Sequence, residues 1–148
     1  MNQYATRLQA AAYFQLRLNT GAWDSASVED QNKALSHATL LIDNLNYAGE
    51  KADPNQTNEF PRGIDASVPQ AIVNACAEIA LSLLDGVDVN AEGDNVNVTH
   101  QTLSTARTMR DTSFVPEWIL AGIPSLAAWN LLRPFLRDPL ALTLSRVN

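Results

Sequence analysis

The chain has 148 residues, of which 46% are hydrophobic and 18% charged, with a formal net charge of -6. That apolar content excludes a disordered chain, and the length suits one domain rather than two independent cores. The acidic balance disfavours a general binder of phosphate backbones, which needs basic residues segregated on one face, and the single cysteine, Cys76, excludes a disulfide-stapled scaffold.

The fold class expected from the pattern is mainly α: three main helices and a short C-terminal helix, with an extended arm or hairpin and a C-terminal extended tail. The first helix is predicted over residues 5–18, where Leu8, Ala11, Ala12, Phe14 and Leu18 recur mostly at three- and four-residue spacing. It stops near Asn19-Thr20-Gly21, and Trp23 follows as a plug between helices. The second helix runs to about residue 46. Ser25 or Ser27 caps it, Glu29 and Asp30 lie in its first turn, and Val28, Leu35, Ala38, Leu41, Ile42 and Leu45 form its apolar stripe.

Residues 47–67 break the pattern with Tyr47, Gly49, Pro54, Asn55 and Phe60-Pro61-Arg62-Gly63. A connection of this length in a compact domain is committed to contacts, either folded back over its own core with Arg62 ion-paired or reaching another chain. The third helix opens at Pro69. Its rows Ile72, Cys76, Ile79, Leu83 and Val73, Ala80, Leu84, Val87, widened by Ala71, Ala75 and Ala77, make it the most buried element, ended by Asp85-Gly86. Val96 and Val98 alternate with polar residues as an extended arm within about 94–113. Residues 104–113 are its return strand or a short helix. Pro124 opens a short helix with Leu126, Trp129, Leu132 and Leu131 on its apolar face, ended or kinked by Pro134. The single helical domain closes at 138. In the tail, 139–148, Leu140, Leu142 and Leu144 alternate with Ala141, Thr143 and Ser145, an apolar edge without an obvious partner in its own chain.

Charge divides along the chain. Residues 1–102 carry a net of -8 and residues 103–148 a net of +2, which account for the overall -6. The basic part holds Arg107, Arg110, Arg133, Arg137 and Arg146, a polarity that can orient subunits head to tail.

No enzyme is expected, because no chemistry-bearing constellation is present. Cys76 lies on a buried face, where a thiol stays protonated. His37 and His100 have no second ligand at metal spacing. Asp88 to Gly93 imitates a calcium loop, but its twelfth position is Thr99 where a bidentate glutamate is required. Phosphate-cradling glycine motifs are absent, so no cofactor or metal is expected. No apolar run approaches the ~18 residues that span a bilayer, and Met1 to Arg7 has no secretory-signal layout, so no membrane partner is expected. Arg107, Arg110 and Phe114, then Trp118, Trp129 and Arg133, are a thin approach to a basic and aromatic nucleic-acid surface. Burial of both tryptophans is the stronger reading.

The order of several motifs resembles the head–tail connector proteins of tailed bacteriophages, also called adaptors or head-completion proteins. The residues concerned are Ala12-Tyr13-Phe14 with Arg17-Leu18, Trp23, Lys33-Ala34-Leu35, Ala38-Thr39 with Ile42-Asp43, Tyr47, Gly49, Gln56, Phe60-Pro61-Arg62, Val68-Pro69 and Leu131 to Leu136. Sequences of this look are also labelled as similar to the primosomal single-strand-binding protein DnaT. The connector resemblance implies a helical-bundle subunit in a homo-oligomeric ring, typically of twelve copies, under the portal protein. It implies a place in the virion neck after assembly in the host cytoplasm. Such a ring extends the channel through which double-stranded DNA passes without sequence-specific binding, and it presents a surface to a tail or neck protein. The alternative is a DnaT-like single-stranded DNA-binding protein of phage replication. Candidate interface residues are Phe60, Pro61, Arg62, Val96, Val98, Arg107, Arg110, Trp118, Leu140, Leu142 and Leu144.

Overall fold

A computed structural model describes residues 2–90, 98–102, 107–110 and 116–137. In chain order the elements are α1 (Arg7–Phe14), α2 (Gly21–Ser25), α3 (Val28–Asp43), α4 (Gln70–Leu84), β1 (Val98–Thr102), β2 (Arg107–Arg110), α5 (Glu117–Leu120), α6 (Leu126–Leu132) and a 3-10 turn (Arg133–Phe135). The fold is mainly helical, as the periodicity predicts. No helix among the described residues is long and apolar enough to cross a membrane.

Helix α4 is the centre. Ile72, Val73 and every residue from Ala75 to Leu81 are buried, and the helix packs against α1, α2, α3 and α6. Three of those positions, Ala75, Ala77 and Ala80, are small, so neighbouring helices approach closely from several sides. Pro69 stands immediately before the helix, where its missing N–H costs nothing, and Asp85 closes it.

Helix α3 starts on Ser27, whose hydroxyl accepts from the Asp30 N–H at 3.1 Å. This selects Ser27 over Ser25 as the cap. Ala34, Leu35, Ala38 and Ile42 form its buried stripe; Leu41 and Leu45 are half-buried at the edge, and Val28 is exposed. Lys33 lies off the stripe and pairs with Glu29 one turn back at 2.7 Å.

Several sequence expectations need correction. Helix α1 ends at Phe14, short of residue 18, and its buried positions are Ala10 and Phe14. Leu8 and Leu18 are 74% and 83% exposed, so the apolar spacing there does not mark the core face. The pair at i and i+4 that points inward is Ala10 and Phe14, whose ring packs at a tilt against buried Trp23 with centroids 5.1 Å apart. Trp23 lies in its own short helix, α2, rather than in a connection. Leu83 is half-buried, so the deepest positions of α4 lie one turn earlier, at Ile79. Leu126 is exposed and starts α6 after the Ser125 cap; Ala128, Trp129 and Leu132 face inward.

The arm is a hairpin. Strands β1 and β2 pair antiparallel, Val98 opposite Arg110 and Thr102 opposite Arg107, with an irregularity between Val98 and His100. Residues 107–110 are thus the return strand, which resolves the alternative left open by the pattern. Val96 and the tail with Leu140, Leu142 and Leu144 lie outside the described residues.

Ile79→Ala should lower stability by about 2–5 kcal/mol, because the site is closed on every side and cannot collapse around the cavity. Urea unfolding followed by circular dichroism measures it, with Leu18→Ala, at an exposed position, expected to change stability by less than about 0.5 kcal/mol.

Candidate interaction site

Two polar networks hold the subunit together, and they contain Tyr13, Arg17, Asp43, Tyr47, Gln56 and Phe60-Pro61-Arg62 of the motif pattern. The first lies between α1 and α4. Glu78 is 2% exposed within the otherwise apolar α4. Its Oε1 accepts from Tyr13 Oη at 2.8 Å and from Arg17 Nε at 2.6 Å. Arg17 also donates to the Leu18 carbonyl at 2.6 Å, which fixes the chain as it leaves α1. Burial, followed by the hydrogen bond to Glu78, pushes the Tyr13 phenol up to about 12. The sequence shows this site faintly, as one carboxylate between Ala77 and Ile79 in an apolar row, and the spacing argument passes over it.

The second network fastens the long loop. The Asp43 Oδ1 at the end of α3 accepts from the Tyr4 hydroxyl and from the Glu59 N–H at 3.0 Å. Tyr4 Oη in turn accepts from the Phe60 N–H at 3.1 Å. The Phe60 ring, 3% exposed, meets Tyr4, Tyr47 and Phe135 edge-on at centroid distances of 5.9, 4.6 and 5.5 Å. Arg62 pairs with Glu59 at 2.6 Å and donates to the carbonyls of Ala48 and Gly49; its guanidinium lies 5.8 Å from the Tyr47 ring centroid. Lys51 reaches the same Glu59 at 3.3 Å. Gln56 Nε2 donates to the carbonyls of Asn58 and Pro61, and the Phe60-Pro61 peptide bond is cis. Gly49 has a φ of +75°, a conformation that L side chains rarely adopt.

The loop therefore takes the fold-back alternative. Phe60 belongs to the subunit's own core, Pro61 is half-buried beside it, and Arg62 is engaged by the ion pair and by the carbonyls of Ala48, Gly49 and Glu59. As contact residues for another chain these three are corrected to structural roles. Trp118 is half-buried in α5, at a groove with Ile119, Pro124, Val87 and Val89. The hairpin brings Val98 and Arg110 together across the strands, with Arg107 three residues from Arg110 on β2.

The described surface carries apolar side chains: Leu16 is 95% exposed, Ile64 fully exposed and Leu120 68% exposed. Four cations, Arg17, Lys33, Lys51 and Arg62, are ion-paired, and Tyr4, Phe14, Trp23, Tyr47, Phe60 and Trp129 are buried. The buried rings are therefore unavailable for base stacking, and Arg17 and Arg62 are held by partners within the subunit, whereas the Lys33–Glu29 pair lies on the surface. Cys76 is fully buried beside Thr39, and burial pushes its thiol up to about 11. Among the described residues no group of three metal-ligating side chains occurs.

A family described as "Putative DnaT-like ssDNA binding protein" matches residues 1–109. The chain belongs to this family. No curated protein and no solved structure matches it. The matched region includes α1 to α4, both polar networks and the hairpin as far as Met109. Tyr13, Arg17, Asp43, Tyr47, Phe60 and Arg62 are accounted for here by packing and hydrogen bonding rather than by a ligand.

Two outcomes follow. Phe60→Ala should cost about 3–5 kcal/mol in chemical unfolding, and Arg62→Ala about 1–3 kcal/mol, since loss of Arg62 leaves the Glu59 carboxylate and three carbonyls underserved. A normal melting temperature with lost assembly would instead make them contact residues. Stability should also fall as pH rises from about 10 towards 12. The unfolded phenol of Tyr13 ionises first, so the proton favours the native state until the folded value is passed. Tyr13→Phe should flatten that part of a thermal-melt pH profile.

Proposed function

We propose that this chain is a structural assembly subunit, the head–tail connector of a tailed bacteriophage. In this reading it forms a ring under the portal, extends the channel for double-stranded DNA and offers a docking surface to tail or neck proteins. It performs no catalysis. The observation that carries the reading is how the described cations and aromatic rings are used. Arg17, Lys33, Lys51 and Arg62 are in ion pairs and six aromatic rings are buried in the core, while leucines and an isoleucine stand exposed. Exposed apolar side chains suit contacts between proteins better than contacts with a polyanion. The ordered motif set supports the same reading, because in this chain it specifies a rigid subunit. A net charge of -6 also suits a passage through which DNA moves without being held.

The family description favours a second reading, binding of single-stranded DNA. In this chain that activity would fall to the hairpin and the C-terminal third rather than to the bundle. Arg107 and Arg110 lie on β2, and residues 103–148 carry the net +2. Such binding would weaken steeply as salt rises.

Quantifying the chain against portal protein in purified virions separates the two. A ratio near one to one supports the connector. Absence from particles, together with binding to labelled single-stranded DNA that Arg107→Ala/Arg110→Ala weakens, overturns it in favour of the second reading.

A further inference from the structure

Helix α1 is covered on one side only. Ala10 and Phe14 face inward, while Leu8 and Ala12, one turn apart, are exposed. The turn that follows adds Leu16 and Leu18, which are as open to solvent as Leu8. Arg17 stands between them, bonded to buried Glu78 and to the Leu18 carbonyl. The ion pair thus fixes the turn that presents both leucines. A rigid exposed apolar surface of this kind is unusual on an isolated subunit. Its surroundings are basic: residues 1–23 contain Arg7 and Arg17 and no acid. Arg7, exposed at the start of the row, forms no ion pair among the described residues.

A groove of about 320 Å³ lies between α3 and the end of α4. Leu41, Leu83, Val87 and Val89 line it as half-buried apolar residues, and His37, Asp88 and Asn90 line it as exposed polar ones, with Gly122 beside them. Asp88 accepts from the Asn90 N–H at 2.9 Å and forms no ion pair among the described residues. Between Arg62 and Arg107 the sequence has acids but neither lysine nor arginine.

The two faces occupy different flanks of α3. The segment leading into α1 follows one edge of that helix: Gln3 donates to the Asn32 carbonyl and the Ser36 hydroxyl, and the Tyr4 N–H donates to Thr39. The groove takes the His37 and Leu41 edge, roughly 150° away around the helix. The buried stripe lies between the two edges, so a copy cannot seat its own α1 in its own groove.

We infer that the occupant of the groove is a second copy of this chain, inserting the outer row of its α1 and the Leu16–Leu18 turn. Charge complementarity selects this occupant: an acid-free, basic apolar face meets a largely apolar groove whose lining carries Asp88 and no lysine or arginine. Because the faces differ, the contact is heterologous. Each copy gives α1 to one neighbour and the groove to the other, and copies add head to tail until a ring closes. The inference rests on the reading of the chain as an assembly subunit and adds which faces meet.

The test breaks one face at a time in the full chain. Leu8→Ser/Leu16→Ser/Leu18→Ser alters only exposed positions of the α1 face, and His37→Arg/Asp88→Arg only exposed positions of the groove, so both variants should keep the circular dichroism spectrum and melting of the unaltered chain. Sedimentation velocity reads association. The unaltered chain should self-associate as concentration rises, and each variant should do so about tenfold or more weakly. An equimolar mixture of the variants should form a dimer that grows no further, because each supplies the face the other lacks. A mixture as monomeric as its components would overturn the inference. So would variants that associate like the unaltered chain, an outcome that leaves the assembly reading standing with other faces. An unaltered chain that stays monomeric throughout would overturn the inference together with its premise.

Discussion

The fold depends on one helix being surrounded. Helix α4 has buried side chains around most of its circumference, so α1, α2, α3 and α6 are arranged by what it needs covered. A helix apolar on nearly every side is unstable alone in water, and its neighbours are individually short: α1 has eight residues, α2 five and α6 seven. None of those three would persist without the central surface. The alanines at 75, 77 and 80 let the flanking helices approach closely, and the larger Ile72 and Ile79 fill the remaining space.

Against that apolar centre, Glu78 is an exception that the chain contains by supplying two donors. A buried carboxylate without partners is costly, and Tyr13 and Arg17, one turn apart on and just beyond α1, serve the same oxygen. The arrangement gives α1 a fixed rotational position about its axis. It also explains why the apolar spacing misleads there: with Phe14 packed on Trp23 and Tyr13 turned to Glu78, Leu8 and Leu18 are left facing solvent.

What could be read from sequence follows from what is periodic. Helices α3 and α4, the Pro69 start and the stop at Asp85 are all local signals that the structure bears out; the pattern left Ser25 and Ser27 open as caps of α3 and ran that helix to about residue 46, three residues past its end at Asp43. The hairpin was half legible, through the alternation around Val98 alone. The polar networks were not legible, because they join residues far apart in the chain: Tyr4 to Asp43, Tyr13 to Glu78, Asn58 to Asn2. The Phe60-Pro61-Arg62 segment could be recognised as important, yet its assignment to the core needed Tyr4, Tyr47 and Phe135 to be brought around it. Its conspicuous composition marks a structural lock, and a short motif of this kind is a poor guide to what a subunit touches.

The Asp43 carboxylate has a consequence for how this sequence can change over time. It joins three stretches of chain, the N-terminal Tyr4, the end of α3 and the loop at Glu59, through acceptors on one side chain. Tyr4 and Asp43 meet side chain to side chain, so substitutions at these two positions should be non-additive. The tie to Glu59 is made by a backbone N–H and does not depend on the side chain at 59, whereas the tie to Tyr4 needs its hydroxyl; exposed positions such as Leu16 and Ile64 carry no such tie within the described subunit.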